Sequence, residues 1–159
     1  MTHADLVERA VRWLKNSAVV CSQIPYMNPR HRRQKARCKI AFAEHHSFAA
    51  EIPDAIGWFG GGKYSIVIEA KTTLTDFGAD RQKEFRRVPA LGVGRYRYYF
   101  TPPGLLEWSF IPDGWGWLEC FPSRVKVKHL ATLQRAYNAT REVEMLYAAL
   151  RRAEGGRAE

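Results

Sequence analysis

The chain opens on a helical period. Leu6, Ala10, Trp13 and Leu14 fall on one stripe, widened by Val7 and Val11, which predicts a helix over 2–14. Thr2 is placed to cap it, and Asp5 sits in the first turn, where a negative charge favours the helix dipole. Two short apolar runs, 18–22 and 40–44, each predict a strand. Between them, Pro29 and a polar, basic sequence predict a long loop or arm over about 28–39. The clearest pattern comes next. Residues 51–59 alternate polar and apolar, Gly60-Gly61-Gly62 allow a tight reversal, and 64–71 is β-branched and apolar, as a buried strand should be. These segments predict a hairpin. Thr75 or Asp76 then caps a predicted helix that runs to about Arg87 and ends before Pro89. Phe77 and Phe85 would face the sheet, with Arg81, Lys83, Arg86 and Arg87 as a basic outer face.

The second half is richer in aromatics. Tyr96, Tyr98 and Phe100 alternate with Arg95, Arg97 and Tyr99, which predicts a strand with its aromatic face in the core. Pro102-Pro103-Gly104 forces a turn, and 114–120 predicts a further strand flanked by Trp115 and Trp117. Arg124, Lys126 and Lys128 alternate with Val125 and Val127, giving an extended piece with one basic side. Residues 129–153 predict helix with a break near Asn138, a good N-cap. Leu130, Leu133, Ala136 and Tyr137 make one apolar stripe, and Val143, Leu146, Tyr147 and Leu150 the next. A mobile tail is expected over 154–159.

Strands interspersed with helices predict an α/β domain with a mixed sheet flanked by helices. A chain of 159 residues suits a single domain over 1–153, able to bury roughly 70% of its unfolded surface. The net charge of +9 favours a polyanionic partner. No Asp or Glu occurs from Arg9 to Ala43, and this stretch holds Arg30, Arg32, Arg33, Lys35, Arg37 and Lys39. Such an arm suits contacts to phosphates; a solvated loop is the alternative. Arg81 and Lys83 would extend the basic surface, or form an ordinary solvated helix face. Cys21, Cys38 and Cys120 are too far apart for a zinc site or a disulfide framework, and read as reduced thiols. No signal segment or membrane-length apolar run is present, so a cytoplasmic protein is expected. His45-His46 is expected in a surface loop, because adjacent residues share neither a strand face nor a metal-binding helical spacing.

The predicted hairpin concentrates the chemistry. Asp54 opens one strand, and Glu69 and Lys71 end the next. Side chains on a strand have period two, so Glu69 and Lys71 project from the same face. Charges at the edge of an apolar sheet must pair or hold a metal. Hard carboxylate oxygens suit Mg²⁺ or Mn²⁺, and a nearby ammonium can steady a metal-bound hydroxide or the charge on a phosphate in transfer. Glu51, three residues before Asp54, is expected at the surface beside the strand, with a supporting carboxylate behind the site as the alternative. The glycine run lacks the tail of a phosphate-binding loop, which argues against nucleotide binding there.

Pro53-Asp54 followed by Glu69-Ala70-Lys71 resembles the PD-(D/E)XK nuclease signature. The longer runs 51–58 and 68–81 are similar to a bacterial and phage branch of that superfamily that includes MmcB-like DNA-repair proteins. The pieces 95–105 and 111–120 fit the same branch, so the resemblance spans about Glu51 to Cys120. It implies a restriction-endonuclease-like core and metal-dependent hydrolysis of phosphodiester bonds. Asp54, Glu69 and the Ala70 backbone carbonyl would bind Mg²⁺ or Mn²⁺, Lys71 would position the attacking water, and Glu8 on the first helix would add a carboxylate. DNA is the implied partner, with RNA as the other polyanion. Cutting would follow strand structure rather than sequence, in DNA repair or in phage or mobile-element DNA processing, within a protein complex of either kind. The rival reading is a non-catalytic nucleic-acid-binding or interaction protein on the same fold.

Overall fold

A computed structural model describes residues 1–22, 32–44 and 51–155. Helix α1 (His3–Asn16) is fixed at its start by a reciprocal capping box. The Thr2 N–H donates to Asp5 Oδ2 at 2.7 Å, and the Asp5 N–H donates to Thr2 Oγ1 at 3.2 Å. Its buried face carries Leu6, Ala10, Trp13 and Leu14, the stripe expected from the sequence.

Strand β1 (Val19–Cys21) does not join the main sheet. It pairs antiparallel with β2 (Arg33–Lys35) in a separate two-stranded ribbon. Part of the expected basic loop is therefore a strand, with Ala36 and Cys38 buried behind it. His45 and His46 lie outside the described residues.

The main sheet has six strands in sequential order: β3 (Ile40–Phe42), β4 (Ala55–Phe59), β5 (Tyr64–Ala70), β6 (Tyr96–Thr101), β7 (Gly116–Cys120) and β8 (Val125–His129). Strands β3, β4 and β5 are antiparallel, β5, β6 and β7 are parallel, and β8 returns antiparallel to β7. Gly60, Gly61 and Gly62 all take positive φ, at 62°, 69° and 87°, which closes the β4–β5 hairpin without Cβ strain. The protein is thus α/β, with a mixed sheet flanked by helices.

Alternation divides the sheet into two faces. One presents Ile66, Ile68, Ala70, Tyr96, Tyr98 and Phe100 to α1 and the ribbon. The other presents Ile56, Trp58, Val67, Tyr99 and Trp117. This second face is covered by α2 (Leu74–Arg81), the short helix α3 (Glu84–Arg87), the 102–115 connection and α4 (Ala139–Gly155).

Three further expected elements differ. The helix after β5 is capped by Thr73 rather than Thr75 or Asp76, and it breaks at Gln82-Lys83 into α2 and α3. The stretch 130–138 is not helical, although its apolar residues have helical spacing. Its N–H groups bond outward instead: Thr132 to Gly114 O at 3.1 Å, Gln134 to Arg95 O at 2.6 Å and Asn138 to Gly92 O at 2.8 Å. Asn138 does cap α4, through its Oδ1 and the Arg141 N–H at 3.0 Å. Helix α4 then continues to Gly155, into the expected tail. It buries Arg141, Glu142 and Met145, while Val143, Tyr147 and Leu150 face solvent. The cause is polar: Glu142 accepts from Ser65 Oγ at 2.7 Å, the Gly94 N–H at 2.8 Å and Trp58 Nε1 at 3.3 Å, which turns the helix by that carboxylate.

Candidate active site

Strand β5 runs out at Glu69-Ala70, and Lys71 follows it at the edge of the sheet. The Lys71 N–H still donates to the Phe100 carbonyl at 3.0 Å, which holds the end of β5 against the parallel strand β6. The carboxyl ends of parallel strands are where α/β proteins place their sites. Glu69 and Lys71 project together, with Lys71 Nζ 3.3 Å from Glu69 Oε2 and 3.7 Å from Asp80 Oδ1. Both side chains are almost out of water, at 3% and 6% exposure.

Asp54 stands one residue before β4, beside the end of β5. The Ala70 N–H donates to Asp54 Oδ2 at 2.8 Å, and Asp54 Oδ1 lies 3.3 Å from His3 Nε2 on α1. The Asp54 carboxylate therefore sits at the strand end, between Glu69 and Lys71 on one side and α1 on the other. Its charge raises the pKa values of both Glu69 and Lys71.

Four further residues complete the site: Asp80, Arg86 and Tyr99, which sequence reasoning did not place there, and Glu51, for which it preferred the surface. The side chain of Arg86, expected on an outer face, is turned inward, 5% exposed, and contacts three carboxylates. Its Nη2 lies 2.7 Å from Glu69 Oε1, its Nε donates to Asp80 Oδ2 at 2.8 Å, and its Nη1 meets Glu51 Oε1. The guanidinium also lies over the Phe85 and Trp115 rings, at 4.7 and 4.9 Å. Glu51, expected at the surface, is buried; its Oε2 accepts the Val93 N–H at 2.5 Å. The Tyr99 hydroxyl donates to Asp80 Oδ2 at 2.9 Å. One sequence signal does point to Asp80: it lies three residues beyond the core residue Phe77, on the same helical stripe. Nothing local distinguishes Arg86 from Arg87, because the break at Gln82-Lys83 decides which of the two turns inward.

Glu51, Glu69 and Asp80 thus share the buried cations Lys71 and Arg86, with Lys83 pairing to Asp80 at 3.0 Å from the rim. Glu69 and Asp80 are not equivalent. Burial opposes the charge on Asp80, but hydrogen bonding and charge from Arg86, joined by Lys71 and Lys83, hold its pKa down at about 2. Burial drives the Glu69 pKa up to about 7, and the charges of Asp54 and Asp80 add to that against the pull of Arg86 and Lys71. Burial works against charge on Lys71 and Arg86 too, yet the surrounding carboxylates raise both pKa values and keep both cations charged. Of Glu69 and Asp80, Glu69 is therefore the first to take a proton.

The residues fit a hard divalent cation in donor type. Asp54 and Glu69 supply carboxylate oxygens beside the Ala70 backbone, and Glu69 Oε1 is a buried oxygen that no hydrogen bond satisfies, although it is ion-paired with Arg86. Among the described residues, no cluster of three or more His, Cys, Asp or Glu side chains forms a ready metal cage. Any ion here would rest on two carboxylates and a carbonyl.

The remaining candidates are dispersed. Glu8 is exposed and pairs with Arg12 at 2.7 Å. It lines a groove of about 730 Å³ together with His3, Glu44 and Asp54, but Glu69 and Lys71 do not line that groove. Arg32, Arg33, Lys35, Arg37 and Lys39 are exposed on and around the ribbon, and Arg30 lies outside the described residues. Arg81 and Lys83 are exposed on the solvent side of the buried charge cluster. Arg97, expected opposite the aromatic face of its strand, is fully buried and donates to the Gly94, Pro89 and Gly92 carbonyls at 2.9, 2.9 and 3.1 Å.

Comparison with known proteins adds to the fold alone. No protein-family model and no curated protein matches the chain. Among solved structures it is similar to the SPO1766 protein of unknown function from Silicibacter pomeroyi, at 20% identity and a TM-score of 0.55. The match covers 75% of this chain and 80% of that one. Among the described residues, no helix is long and apolar enough to cross a membrane.

Proposed function

We propose that this protein is a Mg²⁺- or Mn²⁺-dependent nuclease of the PD-(D/E)XK kind, acting on DNA in the cytoplasm. The observation that carries the reading is the local geometry at the end of β5. Glu69 and Lys71 stand 3.3 Å apart on one face, and the intervening Ala70 N–H donates to the Asp54 carboxylate. Two hard oxygen donors and an ammonium at the carboxyl end of a parallel strand suit phosphodiester hydrolysis. Asp54, Glu69 and the Ala70 carbonyl would hold the ion, and Lys71 would steady the attacking water and the charge that develops on the phosphate. The basic ribbon around Arg33 and the exposed Arg81 and Lys83 supply cations for the strand. Among the described residues no base-reading element is apparent, so the substrate would be chosen by strand structure, as repair or mobile-element DNA processing requires.

One observation favours the non-catalytic alternative. The Glu69 carboxylate is ion-paired to Arg86, so a cation would have to compete with a guanidinium for it. Plasmid and oligonucleotide cleavage with Mg²⁺, Mn²⁺ or EDTA separates the two. Metal-dependent cutting that Glu69→Gln abolishes supports the nuclease. DNA binding with no cutting under any of these conditions supports the adaptor.

A further inference from the structure

A second surface lies across the sheet, on its far edge. The short turn Trp108–Phe110 is pinned from both sides, because Leu106 and Ile111 are buried beneath it. The Phe110 N–H bonds to Glu107 O at 3.0 Å and the Ile111 N–H to Trp108 O at 3.1 Å. Between these anchors Trp108 itself points out, 56% exposed. A large indole left in water on a rigid turn is uncommon, because burying it would be favourable. Part of its surface rests on the His129 ring, with centroids 4.0 Å apart, and the rest is open.

Cations surround it. Next to His129, Lys128 lies over the Trp117 ring at 5.1 Å and pairs with the buried Glu119 at 3.5 Å. Lys126 and Arg124 are exposed further along β8. A groove of about 400 Å³ on the same edge is lined by Arg32, Arg33, Lys128 and His129. The opposing charges are few: Glu119 is buried and accepts the Gly104 N–H at 3.0 Å, and Glu107 and Asp113 are exposed.

We infer that this edge is a stacking platform for single-stranded DNA, with a base packed on Trp108 and the backbone tracked by Lys126, Lys128, Arg32 and Arg33. An aromatic face between cations is the combination that binds single strands, since every base has a π face and every nucleotide a phosphate. Duplex DNA hides its base faces and offers Trp108 nothing to stack on. Cross-strand register connects this platform to the charged cluster: Glu69 pairs with Tyr99, Tyr99 with Trp117 and Trp117 with His129. His129 is therefore three strands from Glu69, about 14 Å at the usual interstrand spacing. The inference deepens the nuclease reading by naming the strand form that reaches it, and it rests on that reading only for the identity of the partner as DNA.

Binding measured in EDTA keeps the two ideas apart, because no cleavage is needed. Fluorescence anisotropy of a labelled oligo(dT) and of a hairpin duplex is compared for wild type, Trp108→Ala, Trp108→Phe and Lys126→Ala/Lys128→Ala, with circular dichroism confirming that each variant folds. Trp108→Ala should weaken oligo(dT) binding roughly 5- to 100-fold and leave the duplex within about twofold. Trp108→Phe should recover most of the loss. The double lysine variant should flatten the salt dependence on oligo(dT) by about 1.4 log units per log unit of salt. Wild-type affinity for oligo(dT) in Trp108→Ala, an equal loss on the duplex, or no binding of oligo(dT) by the wild type would each overturn the platform. A protein that shows the Trp108 dependence but cuts nothing would retain the platform and lose the nuclease.

Discussion

Arg86 Nη2 stands 2.7 Å from Glu69 Oε1, closer than the 3.3 Å that separates Lys71 Nζ from the other oxygen of the same carboxylate. The residue that first answers the charge of Glu69 is thus seventeen positions along the chain, not the lysine two residues away. Asp80 and Glu51 lean on the same guanidinium, so Arg86 is the cation about which the cluster is arranged.

Removing it should be expensive. Arg86→Ala leaves the Glu69 and Asp80 carboxylates to Lys71 and Lys83 and takes from Glu51 the guanidinium it pairs with, and breaking a buried ion pair from one side typically costs about 3–5 kcal/mol. Arg86→Lys should recover little, because one ammonium cannot reach three carboxylates in the fork geometry of a guanidinium. Urea denaturation followed by circular dichroism measures both. A loss below about 1 kcal/mol for Arg86→Ala would show that the cluster relaxes around the gap.

The chemistry rests on other residues. On the nuclease reading, Asp54→Asn and Glu69→Gln should fold yet lose metal-dependent cleavage, since each removes an anionic ligand. Lys71→Ala should slow cleavage about 10²- to 10³-fold. Initial rates on supercoiled plasmid in Mg²⁺ and Mn²⁺ give the comparison, and an unchanged Glu69→Gln rate would exclude Glu69 as a ligand.

Protonation of Glu69 gives the cluster a pH signature. Its pKa in the folded protein is about 7, above the ordinary 4.5, so the native state binds the extra proton between those values. The stabilising share of Glu69 is then complete below pH 4.5 and is lost as pH rises toward 7. Asp80 behaves oppositely: its pKa is held at about 2 against an ordinary 3.8, so its share is present above pH 3.8 and lost as pH falls toward 2. Thermal melts should show the wild type losing stability relative to Glu69→Gln from pH 4.5 to 7. On the metal reading, Mn²⁺ affinity by calorimetry should rise through the same window, because a cation requires the ionised carboxylate.

The ribbon separates binding from chemistry. If about half of Arg32, Arg33, Lys35, Arg37 and Lys39 touch phosphate, changing all five to Ala should flatten the salt dependence on duplex DNA by roughly two log units. Binding should weaken for every sequence alike, while cleavage at low salt persists. An unchanged slope would leave the ribbon a solvated surface and shift attention to Arg81 and Lys83.

Gly116 offers a test of packing alone. A Cβ there would lie 2.1 Å from the Tyr98 ring and 2.6 Å from the Ala131 backbone nitrogen. Tyr98 is fully buried and its hydroxyl donates to Val19 O at 2.7 Å, so the ring cannot swing away freely. Gly116→Ala should destabilise by about 1–3 kcal/mol, read as a lowered urea midpoint.

The β4–β5 hairpin and the pairing of Glu69 with Lys71 were legible because both follow from period two and a glycine turn, which are local. The inward turn of Arg86 and the burial of Glu51 were not, because each depends on partners far off in sequence. Leu130, Leu133 and Tyr137 misled for a related reason. Their spacing is helical, but their backbone had better partners waiting at Gly114, Arg95 and Gly92. The exposed Val143, Tyr147 and Leu150 repeat the lesson: an apolar stripe loses to a single carboxylate, Glu142, that three buried donors require.

That carboxylate also bears on the order in which the chain becomes a protein. Trp58, Ser65 and Gly94 are synthesised long before the residue that satisfies them, 84, 77 and 48 positions later. While the nascent chain emerges, the rear of the sheet holds donors without an acceptor and apolar side chains without a cover. The hairpin can pair early, yet this face stays unfinished until α4 leaves the ribosome and docks. A ribosome stalled before Glu142 would therefore present a sheet open on one side, the form in which a chaperone would meet it.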